Sequence, residues 1–213
     1  PIPIILALML NEVKNMKFKK LVQTVTYAPH FISTVVMAGM IVLFLSPQSG
    51  IINKIAMLFG NEPVNFMYEA KYFKTIYVFS GLWQDAGWSS IIYLSALSTI
   101  DPELIEAAKI DGANRLQIIY HITIPAIIPT AIILLMMDCG KIMNVGFEKV
   151  YLMQNTMNER TSEVISTYIY KQGIESAQYS FSTAVGLFNS AINIVLLLIV
   201  NKIAKKVTET SLW

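Results

Sequence analysis

Charge, cysteine and histidine are all scarce in this chain of 213 residues. Only 14% of the residues are charged, where a soluble domain carries roughly 25%. A surface cannot be kept wet with so few charges, because 54% of the residues are hydrophobic and mean hydropathy is +0.54. This excludes an ordinary soluble globule and points to an integral membrane protein. There is one cysteine, Cys139, so no internal disulfide can form, and it reads as a buried, inert thiol. The two histidines, His30 and His121, have no Ser or Cys partner at a recognisable spacing, so neither catalysis nor a metal site is expected. No Gly-rich phosphate loop ending in Lys-Ser/Thr is present. A net charge of +2 gives no footing for nucleic acid.

What is present is a series of long apolar runs separated by polar segments. PIPIILALML reads as the end of a transmembrane helix that begins upstream, and the chain as N-terminally truncated; it has no basic n-region or cleavage site of a signal peptide. Four complete spans are expected after it, over residues 21–45, 72–99, 122–147 and 181–200. Pro29 should kink the first. IINKIAMLFG (51–60) reads as a short amphipathic interfacial helix. SEVISTYIYKQGI (162–174) has helical periodicity within a second polar loop.

Orientation follows from the lysines. Lys14, Lys17, Lys19 and Lys20 precede the first complete span, and Lys202, Lys205 and Lys206 follow the last. An even number of spans lets both groups face the cytoplasm. Residues 101–121 then face the cytoplasm too, and loops 46–71 and 148–179 face outside.

The segment 101–124 reads as a helix–turn–helix. Asp101 suits an N-cap, Pro102 the first helical position, and Glu103 the first turn, where the helix dipole favours an anion. Gly112 suits a left-handed stop and Asn114 a second cap, while Thr123 to Pro125 should end the second helix. Ala107 and Ala108 leave a shallow surface beside Glu106, with Leu104, Ile105, Ile110 and Leu116 as apolar contacts. Two readings are open: insertion into a groove on a partner, or an amphipathic helix lying on its own bundle.

Polar residues inside the spans are the remaining candidates. Trp83, Gln84, Asp85 and Trp88 combine aromatic faces with hydrogen-bonding groups, as a sugar ring requires; interhelical packing is the other reading. Asp138 and Lys141, three apart, would share a helix face, either lining a pathway or pairing with each other. Asn144 is a weaker candidate, and Asn189 and Asn193 read as interhelical hydrogen-bonding groups.

The stretch EAAKIDGANRLQIIYHITIP resembles the EAA loop of binding-protein-dependent ABC importer permeases. The family pattern is E-A-A, three residues, G, nine residues, then I-x-L-P. Here stand Glu106-Ala107-Ala108, Gly112, Ile122, Ile124 in place of Leu, and Pro125, with Asp111 fitting the common D-G-A form. ALMLNEVKNMKFKKLVQT, YAPHFIS, GFEKVYLMQN and the terminal ETSLW resemble the carbohydrate-uptake subgroup, of the maltose type, that handles polysaccharides and multiple sugars.

The resemblance implies an all-α type I ABC importer permease bundle, with four complete transmembrane helices plus the end of a fifth and about one and a half core helices missing at the N-terminus. The whole chain, 1–213, would be one transmembrane domain in a bacterial cytoplasmic membrane. It implies three partners: a second homologous permease, a cytoplasmic ATPase dimer that binds the ATP, and an extracytoplasmic solute-binding protein that delivers a sugar. Glu106, Ala107, Ala108, Asp111 and Gly112 would form the coupling helix; this chain would be no enzyme and hold no cofactor. An importer of a non-sugar solute and an ion-coupled secondary transporter are the alternatives. The latter would favour mid-span acids and inverted repeats, and needs no docking hairpin of this spacing.

Overall fold

A computed structural model describes residues 1–208; the terminal ETSLW lies outside the described residues. Every regular element among them is helical. In chain order they are α1 (Ile2–Glu12), α2 (Met16–Tyr27), α3 (Thr34–Phe44), α4 (Ile51–Leu58), α5 (Ala70–Leu97), α6 (Pro102–Ile110), α7 (Arg115–Ile118), α8 (Ile124–Cys139), α9 (Phe147–Met153), α10 (Glu159–Ser162), α11 (Ile165–Tyr170) and α12 (Tyr179–Thr208). The helices divide into two compact units. One holds Pro1–His30, Asp85–Gly140 and the chain from Asn193; the other holds Phe31–Gln84 and Lys141–Ile192.

The first unit is packed around Ala7, Tyr93, Leu97 and Ile127, drawn from α1, α5 and α8. The second is packed around Met37, Ala38, Ile41, Met67, Phe73, Val150 and Met153, from α3, α5, α9 and the loop before α5. Large apolar side chains elsewhere are widely exposed, Leu58 and Phe59 at 84% and 81%. A water-soluble chain could not carry such a surface.

Two helical runs are long and apolar enough to cross a membrane, Arg115–Cys139 and Tyr179–Lys206. The expected first span, 21–45, is not one kinked helix. Pro29 sits in a short 3-10 turn, Ala28–Phe31, and Ser33 caps a new helix by accepting from the Val36 N–H at 3.4 Å. Taken together the two pieces form a third candidate span, broken in the middle. α5 has 28 residues, about 42 Å at 1.5 Å per residue, which is ample length, but its polar middle keeps it below the apolarity of the other two.

The third expected span is displaced. It ends at Cys139 rather than 147, with Gly140 as its C-cap, and it begins at Arg115. α7 does not stop at Pro125 but passes through a π-helical turn, Ile119–Thr123, into α8. Pro125 is the second residue of α8, directly after the widened π turn. Thr123 Oγ1 donates to the Ile118 carbonyl at 3.4 Å, within the widened turn.

The loops around α4 and after α9 are held by buried amides. Asn53 of α4 is 1% exposed. Its Nδ2 donates to the carbonyls of Leu45, Ser46 and Val64, and its Oδ1 accepts from the Val64 N–H at 2.8 Å. Asn53→Leu leaves these backbone groups without their partner, each buried loss costing about 1–3 kcal/mol. A marked fall in the detergent melting temperature is expected. Asn158 plays the same part beyond α9, bonding the Met67 and Met153 carbonyls. Lys171 binds both Glu159 and Glu163. Burial pushes its ammonium down, but the two carboxylates outweigh burial and hold it above its ordinary value.

Candidate functional site

The hairpin of α6 and α7 forms as its residues dictate. Asp101 Oδ1 accepts from the Glu103 N–H at 2.9 Å, with Pro102 at the first position and Lys109 in the last turn. The helix closes through Ala113 N–H to the Ala108 carbonyl at 2.9 Å, with Gly112 at φ +84°. A left-handed residue of this kind is inexpensive only for glycine. Asn114 and Gln117 then form a reciprocal capping box at 2.8 and 2.9 Å.

No residue of α6 is buried. Ile110 is 85% exposed and Leu116 77%. Ile105 and Ala108 are half-buried and the other residues of α6 are exposed. Glu106, Ala107, Asp111 and Gly112 stand exposed and Ala108 half-exposed. A groove of about 320 Å³ runs along the hairpin, lined by Ala108, Gly112, Gln117 and His121 among others. The arrangement is a preorganised, partly apolar knob carrying a carboxylate.

The polar cluster of α5 resolves into separate environments. Asp85 Oδ1 lies 3.0 Å from His30 Nδ1, and the His30 ring stacks on Trp88 with centroids 4.6 Å apart and planes 6° from parallel. With Nδ1 protonated, the imidazole donates to the carboxylate. A lone carboxylate at mid-span costs about 2.5–3.5 kcal/mol, and this pairing lowers that cost while 58% of the Asp85 side chain stays exposed. α2 crosses α5 closely here: a Cβ on Gly87 would lie 2.0 Å from the Thr26 carbonyl oxygen. In the other unit, Gln84 Nε2 donates to the Ile32 carbonyl at 2.9 Å. Trp83 stands apart from these groups, lining an apolar crevice with Phe44, Ile52 and Phe79.

Asp138 and Lys141 do not share a helix face. α8 ends at Cys139, which leaves Asp138 as its penultimate residue and Lys141 in the following turn, both exposed. Asn144 accepts from Asn189 Nδ2 at 2.8 Å, and Asn189 Oδ1 is buried without a partner.

Sequence reasoning missed His30, set aside as non-catalytic, and Lys149. Lys149 is 9% exposed; its Nζ donates to the Tyr77 carbonyl at 3.3 Å and lies 5.0 Å from the Tyr77 ring centre. Its Nζ also lies close to Gly81, where an added Cβ would meet it at 3.5 Å, an ordinary contact distance. A lysine in the short apolar stretch FEKVYLM was the available signal.

Two helices long and apolar enough to cross a membrane, among the described residues, and a projecting hairpin with no residue of α6 buried are the features of an integral membrane protein. The chain belongs to the family of binding-protein-dependent transport system inner membrane components, whose model matches residues 1–209. It is 43% identical over 213 residues to the polygalacturonan/rhamnogalacturonan transport system permease protein YteP of Bacillus subtilis (strain 168), covering 100% of this chain and 66% of the relative. It is 42% identical to the protein LplB of the same organism, again over the whole chain and 67% of the relative. The chain thus spans about two thirds of the length of these curated relatives. A bacterial alginate ABC transporter, solved in complex with an alginate pentasaccharide-bound periplasmic protein, matches with a TM-score of 0.97 and 43% identity over 100% of this chain and 74% of the solved one. The fold is therefore that of an ABC importer permease.

Proposed function

We propose that this chain is the transmembrane subunit of an ATP-driven importer for a sugar or oligosaccharide handed over by an extracytoplasmic binding protein. It pairs with a second, homologous permease in a bacterial cytoplasmic membrane. α6 is the coupling helix that docks on a cytoplasmic ATPase dimer, where all the ATP chemistry takes place. The single observation that carries this reading is the α6–α7 hairpin: each helix N-capped, no residue of α6 buried, and bearing the family's E-A-A/G spacing at Glu106, Ala107, Ala108 and Gly112. Gly112 shapes the turn and Asp111 and Glu106 supply charge; the small side chains at 107 and 108 let a partner surface approach. The sugar is supported by the relatives, a polygalacturonan/rhamnogalacturonan permease and an alginate transporter.

Within the membrane, Asp85 held by His30 beside Trp88 is the candidate saccharide contact, and Gln84 and the Asn144–Asn189 pair are further candidates. A carboxylate accepts from ring hydroxyls while an indole covers an apolar ring face. Asp85→Ala is expected to lower uptake of the native sugar without reducing recovery of the assembled complex. Unchanged uptake removes Asp85 from the pathway. The whole reading is tested by co-purifying the full-length permease with its partner permease and ATPase. A chain that purifies alone, with no ATPase bound, returns the question to ion-coupled transport.

A further inference from the structure

The crevice that holds Trp83 has a different chemistry from the polar groups beside it. It encloses about 410 Å³ between α3, α4 and α5, within the roughly 300–1,000 Å³ of small-ligand clefts. Its walls include Met40, Phe44, Ile52, Phe79 and Trp83; Thr75 and Ser80 are the polar exceptions. The Ser80 hydroxyl is already spent on the Ile76 and Tyr77 carbonyls of its own helix. A sugar would find almost no hydrogen-bonding partner here, whereas an alkyl chain needs none.

The surroundings supply the rest of the ligand. Tyr72, Ile76, Phe79 and Trp83 follow each other at steps of four, three and four residues, so they form one stripe along α5. From Tyr72 to Trp83 the stripe is about 16 Å long at 1.5 Å per residue, close to half of the ~30 Å hydrocarbon core of a bilayer. At its N-terminal end the Lys71 ammonium lies over the Tyr72 ring, 4.7 Å from its centre. Lysine and tyrosine at a helix end are membrane-interface anchors. α4, at the same crevice, is turned inside out: Asn53 is its buried residue, while Ile51 and Ile55 are exposed.

We propose that this crevice is a binding site for one glycerophospholipid of the leaflet at the N-terminal end of α5. One acyl chain lies along Ile76, Phe79 and Trp83, and the phosphate meets Lys71, exchanging with its present partner Glu69, 2.7 Å away. The proposal requires that the chain is embedded in a bilayer and that this crevice faces lipid, not that the chain imports a sugar, so the two readings can fail separately.

The test uses the full-length permease, with its partner subunits, in nanodiscs of phosphatidylglycerol with brominated acyl chains. The tryptophan emission that Trp83→Phe removes is expected to be more than half quenched by the bromines. Native mass spectrometry of the parent complex should show a retained phospholipid, with retention reduced several-fold by Lys71→Gln. A phospholipid carrying a mid-chain diazirine, which needs no variant, should label residues 72–83. Unquenched Trp83 emission, or labelling that spares this stretch, means that protein such as an apolar helix of another subunit fills the crevice, and overturns the proposal.

Discussion

Glu106→Lys is expected to leave the chain inserted in the membrane while reducing its association with the ATPase by at least about 30-fold, the lower end of the roughly 2–5 kcal/mol lost when one member of a desolvated charge pair is removed. Glu106 is exposed on a helix with no fully buried residue, so its replacement costs the isolated permease little. The cost falls where α6 docks, because the substitution reverses the charge at the centre of the knob. Uptake should fall in parallel with co-purification. Gly112→Val should act in the same direction by a different route: a branched side chain at φ +84° is strained by about 1–2 kcal/mol, which disturbs the turn that sets α6 against α7. Normal recovery of the ATPase with Glu106→Lys removes the coupling role from this hairpin.

Gly87→Ala is expected to be among the most damaging single-methyl changes in the chain. The added Cβ would lie 2.0 Å from the carbonyl oxygen and 2.4 Å from the carbonyl carbon of Thr26, both backbone atoms that no rotamer change can move. Overpacking usually costs about 1–3 kcal/mol, and a clash between two helix backbones belongs at or above the top of that range. The α2–α5 crossing must open, which separates His30 from Asp85 and leaves a carboxylate unpaired. The purified variant should show a lower melting temperature and loss of uptake together. Gly39→Ala is the matched control: nothing lies within 4 Å of its added Cβ, and alanine is the better helix former by about 1 kcal/mol. A Gly87→Ala protein as stable as Gly39→Ala contradicts the close crossing.

How much was legible in the sequence depended on how local each cause is. The caps of α6 and α7 are set within four residues, so Asp101, Gly112 and Asn114 announced the hairpin correctly. α4 was equally plain. The break after Pro29 was not, because Ser33 reads as an incidental polar residue in an apolar run until its hydroxyl is seen capping α3. The continuous passage through Pro125 depends on a π turn that apolar periodicity does not signal. His30 and Asp85 are 55 residues apart, and only the fold brings them together. Trp83 and Trp88 were grouped because they are near neighbours in sequence. Five residues on a helix separate two side chains by more than a third of a turn, and the structure gives them different surroundings, an apolar crevice for Trp83 and the stacked His30 ring for Trp88. Asp138 and Lys141 were grouped for the same reason, and the end of α8 at Cys139 divides them.

The central claim is that α6 couples this permease to ATP hydrolysis driven by a delivered sugar. It is tested most directly by the rate of ATP hydrolysis of the complete complex in proteoliposomes, with and without saccharide-loaded binding protein. The account predicts stimulation by the loaded binding protein, lost when Glu106 and Gly112 are replaced together although the permease itself is still recovered. Stimulation that survives the double replacement, or hydrolysis indifferent to the loaded binding protein, contradicts it.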